Sequence, residues 1–253
     1  MILFVFEGRE REPGIYRTLA QLYFPRNNDN IICSYGNNIY ELYNDMMALD
    51  GAGDIVTVIK ERQAKNGGNT LEGMRSSDFS EIYIFFDYDF QHAHLSLEEI
   101  NRRLAEMLTI FNEETENGKL YINYPMIESI WYVKELPDVN YPSYTVARAE
   151  CCNFKRIAKE FSHYDSFDFI LFKEGAPLTK EKFLKVRDNW EYLKQMNVCK
   201  ANLLVKGENS MPRFKSEINQ EAIFNAQREL FVEKNESVSI LNSFPLFLYE
   251  YFK

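Results

Sequence analysis

The chain is short of several things that would announce a function. Histidine occurs three times, and the four cysteines, Cys33, Cys151, Cys152 and Cys199, form no CxxC pair. A zinc site needs Cys and His at ligand spacing, so a zinc ribbon or finger is excluded, and reduced thiols are expected. Positive charge is also in deficit: 29 Lys and Arg stand against 38 Asp and Glu, a formal net charge of −9. Phosphate affinity comes mostly from Lys and Arg, so a free-standing nucleic-acid binder is disfavoured unless a local basic patch or a basic partner supplies the grip. No apolar run approaches the roughly 18–20 residues that span a bilayer. The N-terminal run Ile2 to Phe6 is too short for a signal peptide and meets Glu7 at once. A cytoplasmic protein with no membrane partner is therefore expected.

Aromatic residues are plentiful. Twenty Phe and 16 Tyr among 253 residues argue for a substantial folded core. Ile2 to Phe6 reads as a strand buried on both faces, and Pro13, Ile15, Leu19, Leu22 and Tyr23 as a helix after it. A loop at Asn27–Asn30 leads to a strand at Ile31–Tyr35 and a helix through Ile39, Leu42, Tyr43, Met46 and Met47. A Val-rich helical segment follows from Asp54 to Ala64, then a flexible break at Lys65–Asn69. Asn66-Gly67-Gly68-Asn69 is no phosphate loop, because it lacks the GK[ST] ending and opens no helix.

Ile82 to Asp87 is another strand, and Ser96-Leu97-Glu98-Glu99 is a capping box opening a helix that Gly118 ends. Lys119 to Asn123 is one more strand, followed by an amphipathic Ile127–Tyr132. Alternating strands and helices predict an α/β domain over 1–136 with a mostly parallel sheet flanked by helices. Pro137 to Ser143 marks a boundary, and 144–253 is expected to be mainly helical. Helices are predicted from Ala147 to Phe161, after Thr179 and from Asn219 to Phe231; Phe167–Phe172 fits strand or helix. Ile240 to Phe252 is very apolar with a break at Pro245, and Phe244–Leu248 is a candidate contact with a second protomer or another protein unless its own core takes it.

The chemistry concentrates at strand ends. Asp87 and Asp89 close the apolar run Ile82–Phe86, and i, i+2 spacing in a strand puts both carboxylates on one face. Ligands in α/β sheets bind outside the carboxyl ends of the strands. Like charges aimed at one point call for a counter-ion, with Mg²⁺ the usual one for oxygen ligands. Glu7 ends the first strand, with Gly8 at the tight turn beyond, so neighbouring parallel strands bring Glu7, Asp87 and Asp89 to one edge. The bland alternative for Glu7 is a carboxylate stabilised by the next helix's dipole.

A strand ending in Glu7-Gly8, followed by a βα unit and a strand ending in Asp87-Tyr88-Asp89, resembles the TOPRIM domain. That fold is shared by topoisomerases, bacterial primases and the OLD-type and RloB-like nucleases of phage defence. The resemblance covers about residues 1–135. Ile122 to Ser129, with its acid at Glu128, resembles a strand-to-helix motif of the defence-associated members, and Ser34 to Tyr43 their second βα turn. Arg9 and Arg11 depart from the usual small residues of the first motif, and nothing matches the primase zinc site or the topoisomerase tyrosine.

The resemblance implies a Mg²⁺- or Mn²⁺-dependent nuclease acting on RNA or DNA. Its metal set would be Glu7, Asp87, Asp89 and Glu128, with Glu7, Asp87 and Asp89 catalytic. Glu10 is an alternative ligand for a second ion, and Glu7 an alternative general acid or base. Apart from the resemblance, Arg9 and Arg11 beside this edge are candidates to hold phosphate by their charge. Net acidity points to delivery by a partner such as an ATPase, and a homo-oligomer is also possible. His92 and His94 fit a proton relay, metal assistance or an exposed loop; Arg17 fits a phosphate contact or a solvated charge on the first helix, and Lys155, Arg156 and Lys159 a solvated face or a nucleic-acid contact. The alternatives are a TOPRIM-like interaction protein without catalysis and, more remotely, a DxD phosphatase or nucleotidyl-sugar transferase. The phosphatase would carry its DxD after the first strand.

Overall fold

In the computed structural model, residues 1–24, 30–49, 54–65, 68, 70–173 and 175–252 are described. Residues 27–29 of the first expected loop and Asn66, Gly67 and Asn69 of the expected break lie outside them. The chain builds a five-stranded sheet in the order β2-β1-β3-β5-β4. Strand β1 (Ile2–Phe6) is central and fully buried, and pairs in parallel with β2 (Ile31–Ser34) and β3 (Glu81–Asp87). Strand β3 pairs in parallel with β5 (Gly118–Asn123), whose other side carries the antiparallel two-residue β4 (Asn112–Glu113). The expected α/β fold with a mostly parallel sheet is present.

Successive residues of each strand point to opposite faces, which sorts the core into two layers. Leu3, Val5, Ile82, Ile84, Phe86, Leu120 and Ile122 face one layer. It is covered by α2 (Ile39–Ala48), α3 (Ile55–Lys65) and α4 (Leu97–Ile110). Phe4, Phe6, Tyr83, Phe85 and Tyr121 face the other, which α1 (Arg11–Tyr23) covers with Ile15, Tyr16 and Leu19. Pro13 sits in the first turn of α1, where its missing N–H breaks no helical bond.

The region after residue 144 is mainly helical. A short antiparallel pair, β6 (Thr145–Ala147) and β7 (Ser237–Ser239), brackets it. The helix expected over Ala147–Phe161 is split into α5 (Arg148–Cys151) and α6 (Phe154–Phe161). Phe167–Phe169 is a 3₁₀ turn. Thr179 caps α7 (Lys180–Lys206), whose 27 residues run about 40 Å and reach both layers. Asn219 caps α8 (Gln220–Gln227), which continues through a π turn at Arg228–Val232 into α9 (Glu233–Asn235).

Two local expectations need correcting. Gly118 does not end α4, which stops at Ile110; it opens β5 at φ +108°, where a Cβ would lie 3.0 Å from Ile84 Cδ1. Pro245 does not break the terminal segment. Asn242 caps α10 (Ser243–Tyr251), and the proline falls in the first turn, where it is tolerated. Phe244, Leu246, Phe247 and Leu248 are buried, so this apolar segment belongs to the chain's own core. Phe244 stacks on Phe85 with ring centroids 4.7 Å apart. No described helix is long and apolar enough to cross a membrane.

Candidate functional site

Register decides which residues meet. Phe6 pairs with Phe85 and Asp87 with Asn123, so β1, β3 and β5 end side by side at Glu7, Asp87 and Asn123. The Glu7 N–H continues the ladder by donating to Phe85 O at 3.1 Å. Its carboxylate crosses to β3, where Oε2 accepts the Asp87 N–H at 2.9 Å. Asp87 is buried and Oδ1 accepts from Asn123 Nδ2 at 2.9 Å. Asn123 Oδ1 accepts both the backbone N–H (3.0 Å) and the hydroxyl (2.7 Å) of Ser243, so the start of α10 fixes the amide that orients Asp87.

Asp89 reaches the same edge by a route that strand spacing does not describe. Strand β3 stops at Asp87, Tyr88 is buried, and Asp89 turns out of the sheet at φ +45°. Aspartate tolerates the left-handed region better than most residues. The Tyr88 N–H donates to Asn123 O and Pro125 O, and the Asp89 N–H to Pro125 O at 3.3 Å, which pins the turn to the end of β5. Gln91 Nε2 donates to Asp89 Oδ1 at 3.0 Å, and the Gln91 Oε1 atom is buried with no partner. Tyr40 on α2 donates its hydroxyl to Tyr88 O.

Two more acids close in from α1 and from the 3₁₀ turn Ile127–Trp131. Glu12, in the first turn of α1, is buried and accepts the Gly8 N–H at 2.9 Å. Gly8 leaves room for this contact, since a Cβ would stand 2.6 Å from Glu12 Oε2 and push the carboxylate aside. Glu128 is buried on its turn and ion-paired with Arg11, whose guanidinium also lies 4.6 Å from the Phe167 ring centre.

The electrostatics follow from burial and crowding. Burial, then the charges of Glu7, Asp89, Glu12 and Glu128, hold the Asp87 carboxyl well above its ordinary range. Glu7 is likewise pushed well up, by burial first and then by Asp89, with the Asp87 N–H opposing. Asp89 and Glu12 are raised chiefly by burial; Gln91 and His92 counter it at Asp89, and backbone N–H groups do so at Glu12. Among the described residues, no three His, Cys, Asp or Glu stand at metal-holding geometry. The donor set nonetheless suits a hard divalent cation, being all carboxylate oxygens with the orphan amide oxygen of Gln91 nearby.

Glu7, Asp87, Asp89 and Glu128 thus come together, and Glu12 joins them. Glu10 caps the backbone of α1 and is exposed. Arg11 turns inward to Glu128, while Arg9 is exposed and lies over the β2–α2 turn, where a Cβ on Gly36 would be 3.2 Å from its Nε. His92 stands beside Asp89 and edge-on to Tyr40, with ring centres 5.4 Å apart; His94 is exposed. Lys155, Arg156 and Lys159 form an exposed face of α6, with Arg156 paired to Glu160. Sequence reading missed Glu12, Asn123 and Gln91. An acid one turn beyond a Glu-Gly strand end, just before a first-turn proline, was the available sign for Glu12. Compared with family models, curated proteins and solved structures, the chain matches none.

Proposed function

We propose that the chain is a Mg²⁺- or Mn²⁺-dependent phosphodiesterase acting on RNA or DNA, built on a TOPRIM-like scaffold. The observation that carries this reading is the convergence of Glu7, Glu12, Asp87, Asp89 and Glu128 at the carboxyl edge of a parallel sheet. Three buried and two half-buried carboxyls beside one guanidinium oppose one another, and the arrangement makes sense as a receptor for cationic charge.

Asp87 and Asp89, with Glu7, would hold the ion, and Glu128, whose Oε1 is paired with Arg11, would be the further ligand. A bound divalent cation supplies an activated water and neutralises charge on the phosphate. The chain's own groups do the rest. Asn123 orients Asp87, and Gln91 orients Asp89. A carboxyl held up by burial and not on the ion, as at Glu12, is suited to carry a proton to the leaving oxygen at neutral pH. Substrate delivery by a partner such as an ATPase, within a phage-defence module, is the form that the resemblance implies.

The test is to incubate the purified chain with labelled RNA and DNA, with Mg²⁺ or Mn²⁺, alone and with the products of neighbouring genes. Cleavage that falls by about 100-fold or more in Asp87→Asn is expected for a lost metal ligand. Equal cleavage by both proteins sinks the proposal. A second reading, an interaction protein of the same fold without catalysis, is favoured by the Glu7 carboxylate being engaged with a backbone N–H. Calorimetric titration with Mn²⁺ separates the two, since only the first reading expects binding that Asp87→Asn abolishes.

A further inference from the structure

Two clefts flank α1 on its solvent side and meet at Arg17. One, about 470 Å³, lies between α1 and the stretch leading into α7; its lining includes Arg17, Thr18, Phe172, Lys173 and Lys182. The other, about 510 Å³, lies between α1, the end of β2 and Gln63; its lining includes Arg9, Arg17, Ser34 and Thr70. Among the described residues no carboxylate lines either cleft, although the chain carries an excess of nine negative charges. Arg9, Arg17, Lys173 and Lys182 line the two clefts, with Arg17 in both, and on an acidic protein they make a local field opposite to the global one. Concave walls concentrate such a field on an approaching anion.

The cations are available. Arg9, Arg17 and Lys173 are exposed. Lys173 pairs with Asp168 at 3.0 Å, but its side chain is 70% exposed, so that pair is weak and exchangeable. Lys182 donates to the Asp168 backbone carbonyl and keeps two further N–H groups. Hydroxyls at Thr70 and Ser34 add neutral donors along the walls. The row also has a direction, because Arg9 is two residues from Glu7 and lies at the carboxyl edge of the sheet.

We propose that these two clefts form one track for the sugar-phosphate backbone of a nucleic-acid strand, leading to the carboxylate edge. A cation row that continues through two clefts fits a repeating anion better than a single phosphate. This inference rests on the nuclease reading for what happens at the end of the track, but not for binding. Arg9 and Arg17 hold consecutive phosphates next to the carboxylates, and Lys173 and Lys182 hold those further out. Arg11, paired with Glu128, is not part of the track.

Fluorescence anisotropy tests it, using the full chain and short labelled RNA and DNA strands in EDTA, where no metal-dependent cleavage occurs. Binding should weaken with salt at a slope of roughly −0.7 per phosphate held, hence about −3 for four cations. Arg17→Glu and Lys182→Glu should each weaken binding by about tenfold and lower the slope. Reversing the exposed α6 cations together (K155E, R156E and K159E) should leave it unchanged. Arg17→Gln, a milder change at an exposed site, should weaken binding in the same direction. No binding by the wild type, or equal losses from α6 and from the track, overturns the proposal. Track-dependent binding by the wild type without any cleavage once Mg²⁺ is supplied would leave the track standing and remove the nuclease reading alone.

Discussion

Asp87 is a carboxyl whose burial and charged neighbours oppose ionisation, with one amide donor on its side. A carboxyl held up in the fold but ordinary in the unfolded chain gives stability that is complete below the unfolded pKa, about 4. That stability is lost as pH rises through the folded pKa, because only then must the folded state accept the charge. In EDTA, the melting temperature is therefore expected to fall as the pH is raised above about 4. Asp87→Asn should raise it at the upper end, by about 2–4 °C for each kcal/mol recovered, and flatten the slope. Calorimetry across that range decides it, and a lower melting temperature for the variant at about pH 8 would count against the crowding. Lys200 carries the opposite sign. It is fully buried, donates to Tyr141 O at 2.9 Å and Tyr144 O at 2.7 Å, and burial pushes its ammonium well below the ordinary lysine range. Its contribution is complete above the unfolded pKa, about 10.4, and is lost as pH falls toward the folded value. Urea unfolding between about pH 8 and pH 10 should show stability rising with pH in the wild type, and a flatter profile in Lys200→Met.

At the level of elements, the turn from β1 into α1 is the most constrained joint near the site. Glu12 accepts the Gly8 N–H across the space left by the missing Cβ. Gly8→Ala should push the Glu12 carboxylate aside, at a cost of about 1 kcal/mol for the lost hydrogen bond. An unchanged urea midpoint would refute that. The strands of this edge were legible in the sequence, since β1 and β3 are apolar runs ended by acids. The second turn was not legible in the same way. Asp87 and Asp89 were read as neighbours on one strand face, yet Asp89 arrives through a left-handed turn held by the Pro125 carbonyl, a contact 36 residues away along the chain. Gly118 and Pro245 misled for a related reason. Each residue type is compatible with ending one element or with opening another, and only tertiary packing against Ile84 or the Asn242 cap selects between them.

Across the whole molecule, the sheet separates two cores of different character. On the α1 side, Phe247 of α10 sits within 5.0–5.7 Å of the ring centres of Phe4, Tyr83, Phe85 and Tyr121. Phe247→Ala is expected to cost about 3–5 kcal/mol, the range for emptying a buried aromatic site, measured by chemical denaturation. A loss below about 1 kcal/mol would mean that α10 is dispensable to that face. That the final helix would cover this sheet face was not visible in its sequence, which shows apolarity but not its target. Both tryptophans, Trp131 and Trp190, belong to this same layer, and the opposite core has none. Tryptophan fluorescence is thus a one-sided witness: it reports on the layer that α1 covers, whereas the opposite layer carries tyrosine and phenylalanine but no tryptophan. Trp131 also lies 4.6 Å, ring centre to ring centre, from Phe167, the ring that Arg11 covers while it holds Glu128. A change at Glu128 that releases Arg11 would disturb that stack, so the chain carries its own optical reporter beside the carboxylate edge.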